Sequence, residues 1–201
     1  MIRIKYLLIF STIVSSLMSC GTFNETTLLD ESTNYFPAKK NKNVNILRIK
    51  KVNPDTLKML LVVPNDEYSL QMGKNLQYFN EVIIDYELIR KASKYLIDKP
   101  HLKTNTNSVL LQSNKENDPL NTIEPDSYLH AYGQHNPYVY LQLTKRKKKD
   151  GWYAGLLLYD FNHGNCIFEN EIKLNLMWDG WTDQGTMYPL YNSLLDYLRN
   201  Q

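Results

Sequence analysis

The side chains that invite a chemical reading are few. His130 and His135 stand five apart in Tyr-Leu-His-Ala-Tyr-Gly-Gln-His, and His163 stands three before Cys166. Imidazole and thiolate are zinc ligands, but a ligand-bearing helix spaces them three or four apart, and Gly133 falls between the first pair. No metal and no cofactor is expected from this spacing. Carboxylates that could share acid–base work occur at Asp66-Glu67, Asp85 and Glu87, Glu169 and Glu171, and Asp179 and Asp183. Such work needs two carboxyls held across a cleft. Asp66 and Asp85 precede helical patterns and read as N-caps, while Glu169 and Glu171 read as the solvated face of a strand. Nucleophile-elbow, dinucleotide and phosphate-loop glycine signatures are absent, so no catalytic residue is assigned and no enzymatic activity is expected.

Two segments read as binding surfaces. Trp178-Asp179-Gly180-Trp181-Thr182-Asp183-Gln184 sets two indoles among acids and glycines, the composition of a patch that holds a protein or stacks on a sugar ring. Trp178, Trp181, Asp183 and Gln184 are the candidate contacts. The other reading folds both indoles back onto the core, with Asp183 or Thr186 capping the last helix. The run Lys145-Arg146-Lys147-Lys148-Lys149 is either a solvated hairpin tip completed by Asp150-Gly151 or a contact for anionic lipid headgroups.

The amino terminus supplies an address. Arg3 and Lys5 precede an apolar stretch, Tyr6 to Met18, that is shorter than the ~20 residues of a membrane-spanning helix. The stretch ends in Leu17-Met18-Ser19-Cys20-Gly21, which resembles the lipobox of bacterial lipoproteins. The resemblance implies removal of residues 1–19, lipid on the Cys20 thiol, and a cell-envelope location. Gly21 in place of an aspartate implies the periplasmic face of the outer membrane. Cys20 and Cys166 are the only cysteines, so an acylated Cys20 leaves Cys166 unpaired and, on a strand, buried.

Arg3 and Lys5 are also the only charges before residue 20, leaving 21 basic against 21 acidic groups in the rest. That balance excludes a dedicated nucleic-acid binder. Residues 20–43 are polar and aperiodic apart from the pair Tyr35-Phe36, and read as a flexible tether of roughly 25 Å r.m.s. span. Residues 44–201 read as one α/β (α+β) domain. Strands are expected at 44–52, at 57–63 (a continuous apolar run, buried on both faces) and at 81–84, with a helix at 68–78 weakened by Gly73. Leu88, Ile89, Ala92, Tyr95 and Leu96 form the stripe of a helix beginning at Asp85. The polar stretch 99–127 is a long insertion, followed by a helical turn at 126–132.

The last third alternates with period two through 138–144, 152–161 and 166–176, predicting an antiparallel three-strand meander within one mixed sheet. In its third strand Cys166, Phe168, Ile172 and Leu174 should share the packed face. A covering helix opens at Pro189, with Leu190, Tyr191, Leu194, Leu195 and Leu198 on one side.

This order of elements resembles, over residues 55–199, the small α/β domain of envelope lipoproteins of the LpoB and CsgG type and of the TolB amino-terminal domain. The buried strand, the strand running into a helix at 81–96, Tyr159-Asp160 before a short turn, the return strand from Cys166, and the closing helix carry the likeness. The segment Trp178–Tyr197 resembles a group of uncharacterised bacterial lipoproteins. The expected function is a lipid-anchored periplasmic binding or scaffold module whose partners are the membrane, through its lipid, and an envelope protein or peptidoglycan. An envelope hydrolase and an immunity-type lipoprotein that binds a toxin are the alternatives.

Overall fold

Backbone chemistry divides the apolar run before Pro64. In the computed structural model, which describes residues 28–39, 43–99, 127–175 and 182–201, Asn45–Ile49 is strand β1, Pro54–Leu57 is a helical turn, α1, and Leu60–Val63 is β2. The expected strand at 57–63 is thus shortened at its start. Pro54 needs no N–H partner at the head of a helix, and Asn53 Oδ1 accepts the Asp55 N–H at 3.0 Å, so the chain turns before it extends. All four side chains of β2 are buried, as expected of a strand covered on both faces.

Among the described residues six strands form one mixed sheet in the order β1-β6-β5-β4-β2-β3. β2 runs parallel to β3 (Glu81–Ile84) and to β4 (Val139–Lys148). β4, β5 (Gly151–Asp160) and β6 (Asn165–Lys173) make the antiparallel meander, and β1 closes the far edge against β6. Helix α2 (Glu67–Asn75) follows β2 onto one face, and α3 (Asp85–Asp98) follows β3 onto the other. Asp66 caps α2 as expected, its Oδ1 accepting the Ser69 N–H at 2.7 Å. Gly73 has a packing reason: a Cβ there would stand 2.9 Å from Val82 Cγ1, so only glycine lets α2 lie this close to β2 and β3.

Asp85 does not cap α3. Ile84 occupies that position, Asp85 lies in the first turn, and the Tyr86 N–H is taken by Asn65 Oδ1 at 2.8 Å from the neighbouring β2–α2 loop. Burial raises the Asp85 carboxyl above the ordinary aspartate range. Leu88, Ala92 and Leu96 pack on Leu60, Val62, Ile83 and Tyr138, and α4 (Ser127–His135) sits beside them with Tyr132 edge-on to Tyr95 at 5.5 Å.

The opposite face carries the larger core. A wide π-helical turn, Asp183–Met187, leads into α5 (Tyr188–Arg199), whose Leu190, Tyr191, Leu194, Leu195 and Leu198 are buried against Val139, Leu141, Leu156, Leu158, Phe168 and Ile172. Asn170 lies fully buried between sheet and helix. Its amide is satisfied by donating to Leu190 O at 3.0 Å and accepting the Leu156 N–H at 2.9 Å.

Three readings of the sequence change here. First, residues 28–39 are no free tether: they form a strap on α5. Phe36 is 2% exposed, stacked on Tyr188 at 5.6 Å and edge-on to Tyr191 at 6.0 Å. Asn192 brackets its backbone, accepting the Phe36 N–H at 2.8 Å and donating to Phe36 O at 2.9 Å. Tyr35 OH donates to Asp196, and Arg199 donates to Asn34 O at 2.7 Å. Second, Cys166 is buried, but its side chain is not on the face that Phe168 packs. The β5–β6 register shifts between Leu158 and Tyr159, and this one extra residue sends Cys166 to the α3 face while Phe168 keeps the α5 face. Third, Glu169 and Glu171 are 8% and 3% exposed and not solvated. They hold ion pairs with Arg146, at 2.6 Å, and with Lys148.

Candidate functional site

Trp178 and Trp181 lie outside the described residues, as do Cys20 and most of the 99–127 insertion. The base of the Trp loop is described. Thr182, not Asp183 or Thr186, caps the π-helical turn, its Oγ1 accepting the Gly185 N–H at 3.2 Å. Asp183 Oδ1 accepts the Tyr68 hydroxyl at 2.8 Å, which ties the loop to α2. Burial and then this carboxylate push the Tyr68 phenol far above its ordinary range. Gln184 keeps an exposed side chain, while its carbonyl accepts the Lys39 N–H at 2.8 Å and so joins the loop to the strap.

Strand alternation splits the basic run. Lys145 and Lys147 lie over the Trp152 ring, 5.1 and 5.8 Å from its centre. Arg146 and Lys148 point to the other face and meet Glu169 and Glu171. Lys149 sits exposed at the turn. Asp150 there accepts Lys173 Nζ at 2.9 Å and the Tyr153 hydroxyl at 2.8 Å, and the lysine bond leads in holding its carboxyl below the usual range. Two of the five cations thus have buried carboxylate partners.

The structure also builds a site that residue spacing did not reveal, at the turn between β5 and β6. Asp160 is 3% exposed and its Oδ1 accepts the N–H groups of Asn162 and His163 at 2.9 and 3.3 Å. Its Oδ2 lies 2.6 Å from His163 Nδ1. An ionised carboxylate only accepts, so Nδ1 donates to it, from a side chain that is 61% exposed. The only local sign is Asp-x-x-His across a tight turn; the spacing of His163 from Cys166 points elsewhere, and the Cys166 Sγ lies 3.5 Å from Phe168 O on the α3 side.

The segment after β1 faces this pair across a cavity of about 220 Å³ lined by Lys50, Lys51, Val52, Asn53, Asp160, His163 and Asn165. That segment is pinned from three directions. The Lys50 N–H donates to Ile167 O at 2.8 Å, Lys50 O accepts the Tyr197 hydroxyl at 2.8 Å, and the Val52 N–H donates to Gln201 Oε1 at 3.2 Å. Among the described residues no three His, Cys, Asp or Glu side chains gather to hold a metal ion. His135 is exposed beside Tyr95, with the rings 5.8 Å apart.

No family model, no curated protein and no solved structure matches the chain.

Proposed function

We propose that the chain is a lipid-anchored binding or scaffold module of the bacterial cell envelope, non-enzymatic, held by Cys20 at the periplasmic face of the outer membrane, with an envelope protein or peptidoglycan as partner. The lipobox likeness supports the anchor. The single observation that carries the reading further is the strap. Because residues 28–39 are docked on α5, seven residues, 21–27, lie in the chain between Cys20 and the strap. Eight residue steps span at most about 28 Å when fully extended, so an anchored domain is held against the bilayer. Two or more acyl chains make such an anchor effectively permanent.

Metabolic labelling with palmitate tests the anchor. Label is expected on the wild-type chain in the membrane fraction and absent from Cys20→Ser, which should remain folded. Unlabelled wild type would refute it. A photoreactive residue at Trp181, with Lys147 as the control position, tests the binding role. One envelope component captured from 181 alone is the expected result, and capture of nothing in repeated envelope preparations would refute it.

A further inference from the structure

The cavity beside His163 is so far an arrangement without a ligand, and its chemistry is specific. Two consecutive lysines and the imidazole of His163 line it, together with Asn53 and with Asn165, whose amide N–H donates to His163 O at 3.0 Å. The sole carboxylate in the lining, Asp160, is 3% exposed and already accepts from two backbone N–H groups and His163 Nδ1. It therefore holds the imidazole in place and has little capacity left to recruit a cation. What the lining offers is hydrogen-bond donors and positive charge on a rim that β6 and the end of α5 keep rigid.

We propose that this corner binds a phosphate group: Lys50 and Lys51 neutralise its charge, and His163, aimed by Asp160, hydrogen-bonds one of its oxygens through Nε2. At about 220 Å³ the cavity takes a phosphate with a small ester substituent and excludes a drug-sized ligand. Its position suggests where such a group comes from. Tyr197 and Gln201 of the α5 end hold the cavity rim, and on the same end Asp196 and Arg199 hold Tyr35 and Asn34 of the strap. The site therefore shares one end of α5 with residues 34 and 35 of the strap, and, resting on the lipid anchoring proposed above, a phospholipid headgroup is the candidate source. A free phosphate monoester offers the same chemistry.

The test uses the mature chain, starting at residue 20 with Cys20→Ser, and follows the His163 ring resonances by NMR. Inorganic phosphate and glycerol 3-phosphate are titrated to about 20 mM. Saturable shifts are expected, weakened about tenfold or more in the Lys50→Ala/Lys51→Ala variant and unchanged in Lys147→Ala/Lys149→Ala, which removes as much charge elsewhere. His163→Ala, followed through the backbone amide resonances of Asn162 and Asn165 because it lacks the reporting ring, keeps both backbone N–H bonds to Asp160 and should lose binding to a similar degree. Shifts that do not saturate, or that weaken equally in both lysine variants, would overturn the proposal. Vesicles of phosphatidylglycerol with phosphatidylcholine then identify the source. Co-sedimentation that is competed by glycerol 3-phosphate and lost in Lys50→Ala/Lys51→Ala supports a headgroup ligand. Soluble binding without co-sedimentation supports a free phosphate compound. The phosphate titration uses unlipidated chain, so its failure is separate from any failure of the lipid anchor.

Discussion

Replacing Phe36 with alanine asks whether the strap is part of the folded domain. The ring is 2% exposed and touches Tyr188 in a stack and Tyr191 edge-on. Truncating a buried phenylalanine costs about 3–5 kcal/mol, and the two ring contacts are part of that cost, since aromatic pairs add ~0.5–1.5 kcal/mol beyond burial. Detachment of the strap would limit the loss to what the strap itself contributes, namely this ring, the paired Asn192 bonds and the links to Asp196 and Arg199. The expected result is a loss of about 3 kcal/mol in urea unfolding of the mature Cys20→Ser chain, with a fall in Tm on the order of 10 °C. Leu28→Ala serves as a control, because Leu28 is 63% exposed and should stay within about 0.5 kcal/mol. A Phe36→Ala chain as stable as the control would mean that residues 28–39 contribute nothing to the fold. The short-tether argument would then fail with it.

Lys148→Ala should destabilise the chain by about 1–3 kcal/mol, because it leaves Glu171, 3% exposed, without its cation. Lys147→Ala, which loses only a contact over Trp152, should cost below about 0.5 kcal/mol, and equal costs in urea titration would contradict the assigned pairing. Alkaline pH should unfold the protein cooperatively. Burial pushes Tyr140 up to about 12 and raises Tyr68, Tyr138, Tyr191 and Tyr197 as well. The folded state then holds phenolic protons that the unfolded chain releases near pH ~10, so this stability is intact below ~10 and is lost as pH rises towards the folded values. Phenolate absorbance and circular dichroism should change together. A buried set that titrates near pH ~10 while the dichroism stays native would contradict it.

Apolar spacing was a sound guide wherever neighbours along the chain decide the outcome. Alternation located β4, β5 and β6, and the spacing of Leu88, Ala92 and Leu96 located α3, because a strand repeats every two residues and a helix every 3.6. The same rule failed at β6 in an instructive way. A single shifted residue opposite Leu158 and Tyr159 moves Cys166 across the sheet, and nothing local to Cys166 announces it. Glu169 and Glu171 were correctly set opposite Phe168 and Ile172, yet their burial follows from Arg146 and Lys148 on another strand. Asp85 looked like a cap because acids often are, but Asn65 reaches across from the next loop and takes that role.

The sequence by itself determined the strands of the meander, the burial of β2 on both faces and the stripe of α5. Each rests on side chains two to four residues apart. Only the tertiary structure decided that Tyr35-Phe36 is a staple, that Asp160 orients His163 for a cavity shared with Lys50 and Lys51, and that the basic run is divided between two faces. The Phe36 backbone meets Asn192 from 156 residues away, and Lys50 reaches the His163 corner only because β1 pairs with β6. Contacts at such separation come from the topology of the whole sheet, and their partners leave no periodic trace in the chain.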